Sequence, residues 1–388
     1  MEAPVRTGPT GHRSPLGPKR PSRLAKVRWW LGGMDWLLVA SVTILCAVGT
    51  LAVTSATRTA EAPLGLLPAR ILHLGIGLGV LAAFAAIPYR LWDRLAGWIY
   101  GACLLLLVAV DVVGRESLGA QRWLVLGPVT VQPSEFGKLG LIVILAKVAA
   151  DHPPRRVVDL VRCILYVLPP TVLVFWQPDF GTSLVFVAIL AGILFAAGAP
   201  LRSLVGLGGV GLAAAPLVWR WMKPYQQKRL WVFLDPNLDP LGAGYSLIQS
   251  KIAIGSGQLW GKGLFGGTQS ALEFLPMQHT DFVFAVIGEE LGFVGALGVL
   301  VCFWVYLLRG LRAAHRAQDP FGSLLCAGIV SLVGFHVLVN VGMTVGLAPI
   351  TGIPLPFLSH GGSALITNLA ATGILLNVGS RRRNRSQG

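Results

Sequence analysis

The chain has 388 residues, 54% of them hydrophobic and only 13% charged, with a net charge of +15 and a mean hydropathy of +0.67. A soluble domain carries roughly 25% charged residues, so this composition excludes one and requires a chain that buries most of its surface in lipid. The positive charge invites a nucleic-acid reading, but the basic residues collect in the tails and at the ends of apolar runs rather than in one patch, and nucleic acid is excluded as a partner.

Residues 1–33 are rich in Pro, Gly, Arg and Lys without apolar periodicity and read as a disordered basic tail. The run from Trp36 to Val53 follows too long a tail to be a cleaved signal peptide and reads as a retained span. Nine further spans are expected near 70–88, 95–113, 134–150, 157–175, 181–198, 203–220, 282–308, 322–347 and 360–379, since about 20 apolar residues cross a hydrocarbon core of roughly 30 Å. The expectation is an all-α integral membrane protein with ten transmembrane helices. Its single membrane domain covers 34–380, and a second basic tail follows at 381–388.

Ten spans put both termini on one side. With the termini inside, the inner segments hold the basic tail, Arg90, Arg94, Lys147, Arg155, Arg156, Arg202, Arg309, Arg312 and Arg316, whereas the short outer loops hold only Arg58, Arg70, Arg115 and Arg122. The positive-inside rule therefore predicts cytoplasmic termini. The segment 221–281 becomes a large extracytoplasmic loop between helices seven and eight, long enough to imply function or internal structure. Its mildly amphipathic stretch Tyr245–Ile254 is expected to lie as a short helix on the outer membrane surface. No internal repeat of the kind that builds inverted-half transporters is visible. The five cysteines are scattered in apolar runs without metal-ligand spacing.

This topology brings the polar residues of the spans to one water–membrane boundary. Arg122 and Trp123 precede the fourth span, and Gln132, Glu135 and Lys138 begin it. Gln177 and Asp179 begin the sixth, Asp281 the eighth, and Ser359, His360, Gly361 and Gly362 the tenth. Glu135 and Lys138 share a helix face and can pair. Asp281 has the position of a helix N-cap as well as of a catalytic carboxylate. Glu289 and Glu290, two turns deeper, read as partners of arginines or backbone within the bundle. His279 reads as a hydrogen-bonded structural histidine. Backbone N–H groups at the start of the tenth span, after Gly361 and Gly362, offer a phosphate cradle or serve only packing. No Walker loop, HExxH, GxSxG or CxxC framework is present.

Six strings carry a resemblance: GAQRWL (119–124), QPSEFGKL (132–139), QPDFGTS (177–183), DPLGAGYSLIQSKIAIGSGQLWGKG (239–263), GTQSALEFLPMQHTDF (267–282) and GIPLPFLSHGGSALI (352–366). In these the chain resembles the SEDS (shape, elongation, division and sporulation) family, on the RodA side more than the FtsW side. Two departures stand out: Met277-Gln278 replaces a pair that usually carries charge, and His360 replaces a tyrosine.

The resemblance implies a peptidoglycan glycosyltransferase that polymerises lipid II, with an undecaprenyl-diphosphate-linked glycan, at the outer face of the bacterial cytoplasmic membrane. It implies Asp281 as general base, or as ligand to a divalent cation (Mg or Mn) serving the same step. Arg122 and Lys138 become candidates for the diphosphate, Glu135 for orienting Lys138, and Asp179 for positioning or for metal. His279, Ser359, Gly361 and Gly362 complete the expected substrate-binding set. A class B penicillin-binding protein is the implied partner, because the chain has no transpeptidase motif. Two other classes compete. A lipid II flippase needs polar groups through the whole bilayer, and a non-enzymatic scaffold leaves the polar cluster unexplained; a division-specific FtsW-type polymerase is the near alternative.

Overall fold

A computed structural model describes residues 34–58, 62–117, 120–126, 129–240, 242–271 and 274–381. The tails expected at 1–33 and 382–388 lie outside the described residues. Each predicted span falls on a helix: α1 (Trp36–Thr57), α2 (Leu67–Ala86), α3 (Tyr89–Val113), α4 (Pro133–Asp151), α5 (Val157–Trp176), α6 (Phe180–Ala196) and α7 (Leu201–Trp221), then, beyond the long loop, Val283–Arg316, Pro320–Val345 and Gly362–Ser380.

Eight of these are long and apolar enough to cross a membrane. The other two are α6, apolar but only 17 residues long, and α4, which carries Glu135, Lys138, Lys147 and Asp151. Large apolar side chains such as Trp98, Leu105 and Leu165 face outward, while Glu135, Lys138, Glu289, His336 and Asn340 are buried within the bundle. That inversion of a water-soluble protein's pattern follows from a hydrocarbon solvent, which rewards apolar exterior and forces polar groups to pair inside.

The segment between α3 and α4 departs from an all-α expectation. It forms a small antiparallel sheet, β1 (Arg115–Ser117), β2 (Ala120–Leu126) and β3 (Val129–Val131), in the order β1-β2-β3. Short runs of β-branched and aromatic residues around a turn favour such hairpins, and a reading by span periodicity passes over strands of three residues.

The region expected as a large loop is mostly helical: α8 (Pro224–Leu234), a 3₁₀ turn at Pro236–Leu238, α9 (Ala243–Ser256) and the short α10 (Thr268–Ala271). The α9 helix contains the stretch Tyr245–Ile254 expected to be helical, and it packs against the bundle. Its Leu247 and Ala253 join a buried cluster with Phe282, Ala285, Met343 and Ile350, because their spacing puts one apolar stripe against the bundle.

The last three long helices are α11 (Val283–Arg316), α12 (Pro320–Val345) and α13 (Gly362–Ser380). The α11 helix is broken at Gly292 (φ 65°, ψ −166°), a conformation open essentially only to glycine. The break docks on the loop after α9, where Phe293 N–H donates to the Gln258 carbonyl (2.8 Å) and Gly263 N–H to that of Glu290 (3.0 Å). Glu289 meets Lys262 Nζ (2.7 Å) and the Gln269 N–H (3.0 Å), and Glu290 accepts from Ser55, so the expected backbone partner is found while a lysine and a serine stand in place of arginines. The interior centres on α13, with 83% of its apolar window buried, whereas no residue of α7 is buried.

Candidate active site

A cavity of about 480 Å³ opens where the sheet, the starts of α4, α6 and α13, the α8 helix and the turn before α11 converge. Arg122, Glu135, Asp179, Asp281, Gly361 and Gly362 line it. A second cavity of about 400 Å³ shares Tyr225, Arg229, Met277, Asp281 and Ile350 with the first. Asp281 thus stands on the wall common to both.

Asp281 lies in a tight turn in which the N–H groups of Thr280 (3.1 Å) and Asp281 (3.0 Å) bond to the Met277 carbonyl. The N-cap expected of it does not form: the cap position is Phe282, with no side-chain cap bond. The chain enters the helix one residue too late for the carboxylate to reach the first N–H groups. Burial pushes the Asp281 carboxyl above the ordinary carboxylate range, and the Arg229 guanidinium pulls the other way. Both charges flank Gly352, where an added Cβ would lie 3.6 Å from Asp281 Oδ2 and 3.7 Å from Arg229 Nη1.

Arg122 belongs to β2 and reaches across to the start of α6. Its Nε donates to the Gln177 carbonyl (2.9 Å), its Nη2 to that of Pro178, and its Nη1 lies 3.9 Å from Asp179 Oδ2. Asp179 is the N-cap of α6, accepting from Thr182 N–H (3.1 Å) and Thr182 Oγ1 (3.0 Å). This explains two residues of the QPDFGTS string. A third, Gly181, lets the loop after α12 pass close, since a Cβ there would meet the Thr351 carbonyl at 2.7 Å.

Lys138, His279 and Ser359 do not line the cavity. Lys138 is buried beneath it, its Nζ 2.7 Å from Glu135 Oε1 and 3.4 Å from His336 Nε2. Ser359 braces the turn that carries Asp281: its Oγ donates to the Thr280 carbonyl and accepts from Leu355 N–H (2.8 Å). The His279 carbonyl accepts from His360 N–H (2.8 Å). The Arg70 guanidinium, buried in α2, donates to the carbonyls of Phe357, Leu358 and Ser359, holding the loop from the other side.

His360 lines the cavity with its ring centroid 6.0 Å from that of His279 and 6.2 Å from that of His73. Burial first, then His279, Arg70 and His73, lower its pKa to about 4, so the ring is neutral at neutral pH. Gly362 is required beside it, because a Cβ would come within 2.6 Å of His73 Nε2.

Arg229 and His73 escaped the reading of the sequence. Arg229 lies in the segment 221–281, whose composition reads as loop. The signal was the helical spacing of Tyr225, Gln226, Arg229 and Leu230, which all line the cavity from one face of α8.

No group of three His, Cys, Asp or Glu suited to a metal occurs among the described residues, and both Asp179 oxygens are engaged by Thr182.

Residues 34–384 match the family described as cell cycle protein, FtsW, RodA and SpoVE. The peptidoglycan glycosyltransferase MrdB of Escherichia coli K12 is 44% identical over 323 residues, covering 82% of this chain and 87% of the relative. The stage V sporulation protein E of Bacillus subtilis is 37% identical over 357 residues, covering 89% and 96%. Among solved structures, one chain from work on coordination of polymerization and crosslinking by a peptidoglycan synthase complex superposes with a TM-score of 0.78 at 38% identity, covering 89% of this chain and 97% of that one. The rod shape determining protein RodA of Thermus thermophilus superposes at 0.69 and 34% identity, covering 90% and 97%.

Proposed function

Because the chain belongs to the family of FtsW, RodA and SpoVE, we propose that the cavity polymerises lipid II, with Asp281 as its general base. The protein is a multi-pass membrane enzyme, a peptidoglycan glycosyltransferase. Identity is higher with MrdB, at 44%, than with a probable FtsW of Aromatoleum aromaticum, at 38%, which supports work in elongation rather than division.

In the reaction a sugar hydroxyl of one lipid-linked chain attacks the anomeric carbon of another. A new C–O bond forms, the bond from that carbon to the diphosphate breaks, and the hydroxyl proton passes to Asp281. The observation that carries this assignment is a carboxylate that caps no helix, stands on the wall of the cavity and has its pKa raised toward that of a useful base. The departing diphosphate carries its own negative charge and needs cations rather than an acid. Arg229 and Arg122 supply them at the cavity, in the place first assigned to Arg122 and Lys138. Glu135 holds Lys138, Asp179 holds the start of α6, and Ser359 and His279 hold the turn of Asp281. Gly361 and Gly362 let substrate approach the start of α13. A divalent cation carried by the diphosphate would find the Asp281 carboxylate as a protein ligand and would supply further neutralisation of the leaving group, and no step is routed through it.

The remaining architecture follows from the charge pattern. Ten helices span the bacterial cytoplasmic membrane between the two basic tails, both termini are cytoplasmic, and the 221–281 segment is extracytoplasmic with the cavity. A class B penicillin-binding protein supplies the cross-linking step, consistent with the synthase complex in which the structural relative takes part.

The test is lipid II polymerisation by the purified protein with its transpeptidase partner, comparing wild type with Asp281→Asn. Glycan strands from the wild type and none from the folded variant are expected. Equal strands from both would remove Asp281 from the mechanism. No strands from either, with lipid II crossing vesicle membranes, would favour a flippase.

A further inference from the structure

Asn340 lies near the C-terminal end of α12, fully buried and outside the lining of both cavities. Its side-chain amide donates twice, to the Asp281 carbonyl (3.0 Å) and to the Ile353 carbonyl (2.8 Å). The acceptors come from separate segments, the turn before α11 and the loop after α12. We infer that Asn340 is a positioning residue for the polymerase: one amide fixes Asp281 relative to the loop segment against which its carboxylate lies.

Two features support this. The Asp281 carbonyl stands outside the helical ladder, because Ala285 N–H bonds to Phe282 instead, so without Asn340 it has no partner among the bonds around the turn. Ile353, the second acceptor, adjoins Gly352, the residue whose open face lies against Asp281 Oδ2 and Arg229 Nη1. The same amide therefore sets the height of the carboxylate and the position of the floor beneath it.

The Asn340 Oδ1 atom is buried and unpartnered. Bound geometry sets the rate here, since a displacement of about 1 Å at the reacting atoms can lose about 10²-fold.

The inference rests on Asp281 being the base, and the experiment separates the two. Asn340→Leu and Asn340→Ser are compared with wild type, Asp281→Asn and the control Ser250→Ala, all as full chains with the transpeptidase partner on lipid II. Ser250→Ala removes another buried bond to α12, from Ser250 Oγ to the Thr344 carbonyl (2.8 Å). The expected result is a kcat lowered about 10²-fold, with KM little changed, in the Asn340 variants and not in Ser250→Ala. If Asn340→Leu does not fold, Asn340→Ser is read by the same split. A folded Asn340 variant with wild-type kcat, or one in which KM rises as much as kcat falls, overturns the inference while an inactive Asp281→Asn leaves the base in place. An active Asp281→Asn removes both.

Discussion

Lys138 reaches back one turn to Glu135, Nζ to Oε1 2.7 Å, with 1% and 2% of the two side chains exposed. This ion pair is sealed under the cavity floor, and only Glu135 touches the cavity itself. The second Glu135 oxygen and His336 Nδ1 are left without partners.

Removing one member leaves a buried charge uncompensated, which costs about 3–5 kcal/mol. Lys138→Met is therefore expected to lower the thermal unfolding temperature sharply. The double variant Glu135→Gln/Lys138→Met should recover much of the loss. A Lys138→Met protein with unchanged unfolding but a raised KM for lipid II would put the ammonium on the substrate after all.

Arg229 should behave as a ligand of the developing charge. Arg229→Ala is expected to lower kcat by about 10²–10³-fold, the size typical of one lost transition-state donor, with folding intact. Arg229→Lys should recover part of that, since it restores charge without the forked donors. Rates for Arg229→Ala equal to wild type would assign the diphosphate elsewhere.

The pH dependence follows from Asp281. A base must be ionised, so activity should fall as pH drops through its pKa, with a midpoint above the usual value of about 4 for aspartate. The sign for stability is opposite. A folded pKa raised above the unfolded one means the native state binds more protons between the two values, so its stability declines as pH rises through that window. Asp281→Asn should remove that decline, which unfolding measured across pH would reveal.

His360 works the other way. Its pKa of about 4 lies below the ordinary 6.5, so the unfolded chain binds more protons between those values, and stability is lost as pH falls through that range. His360→Tyr keeps an aromatic ring but removes the imidazole, and should keep polymerase activity while flattening the acid loss. An unchanged acid profile would assign the loss to other groups.

The break at Gly292 leaves no room for a side chain, since a Cβ would meet Gly261 N at 2.3 Å and the Leu259 carbonyl carbon at 2.7 Å. Gly292→Ala should cost at least about 1–3 kcal/mol in backbone strain alone. Its unfolding temperature should fall without any change in KM. A wild-type temperature would mean that α11 runs straight here.

Much of this was legible in the residues themselves. Hydrophobic runs of about 20 residues locate the helices because lipid removes every competing way to satisfy the backbone. The acidic and basic residues at helix starts fall together because they share one end of the bundle, and Asp281, Arg122 and Asp179 all reach the cavity. Three-residue strands and the helix at 224–234 carry signals too short or too polar for that reading, whereas the amphipathic stretch Tyr245–Ile254 is legible and falls within α9. Composition and a 3.6-residue period act locally, so they suffice for the solvent, the helices and the end of the bundle where chemistry gathers. Tertiary structure decided which charges face substrate. Lys138 is withdrawn by a partner one turn away, Arg229 is delivered by α8, and the turn of Asp281 is held by Ser359 at Thr280 and by Asn340 at Asp281, across 79 and 59 residues of chain. Ionic and hydrogen-bond partners act over a few ångströms of space, and only the folded chain brings those ångströms about.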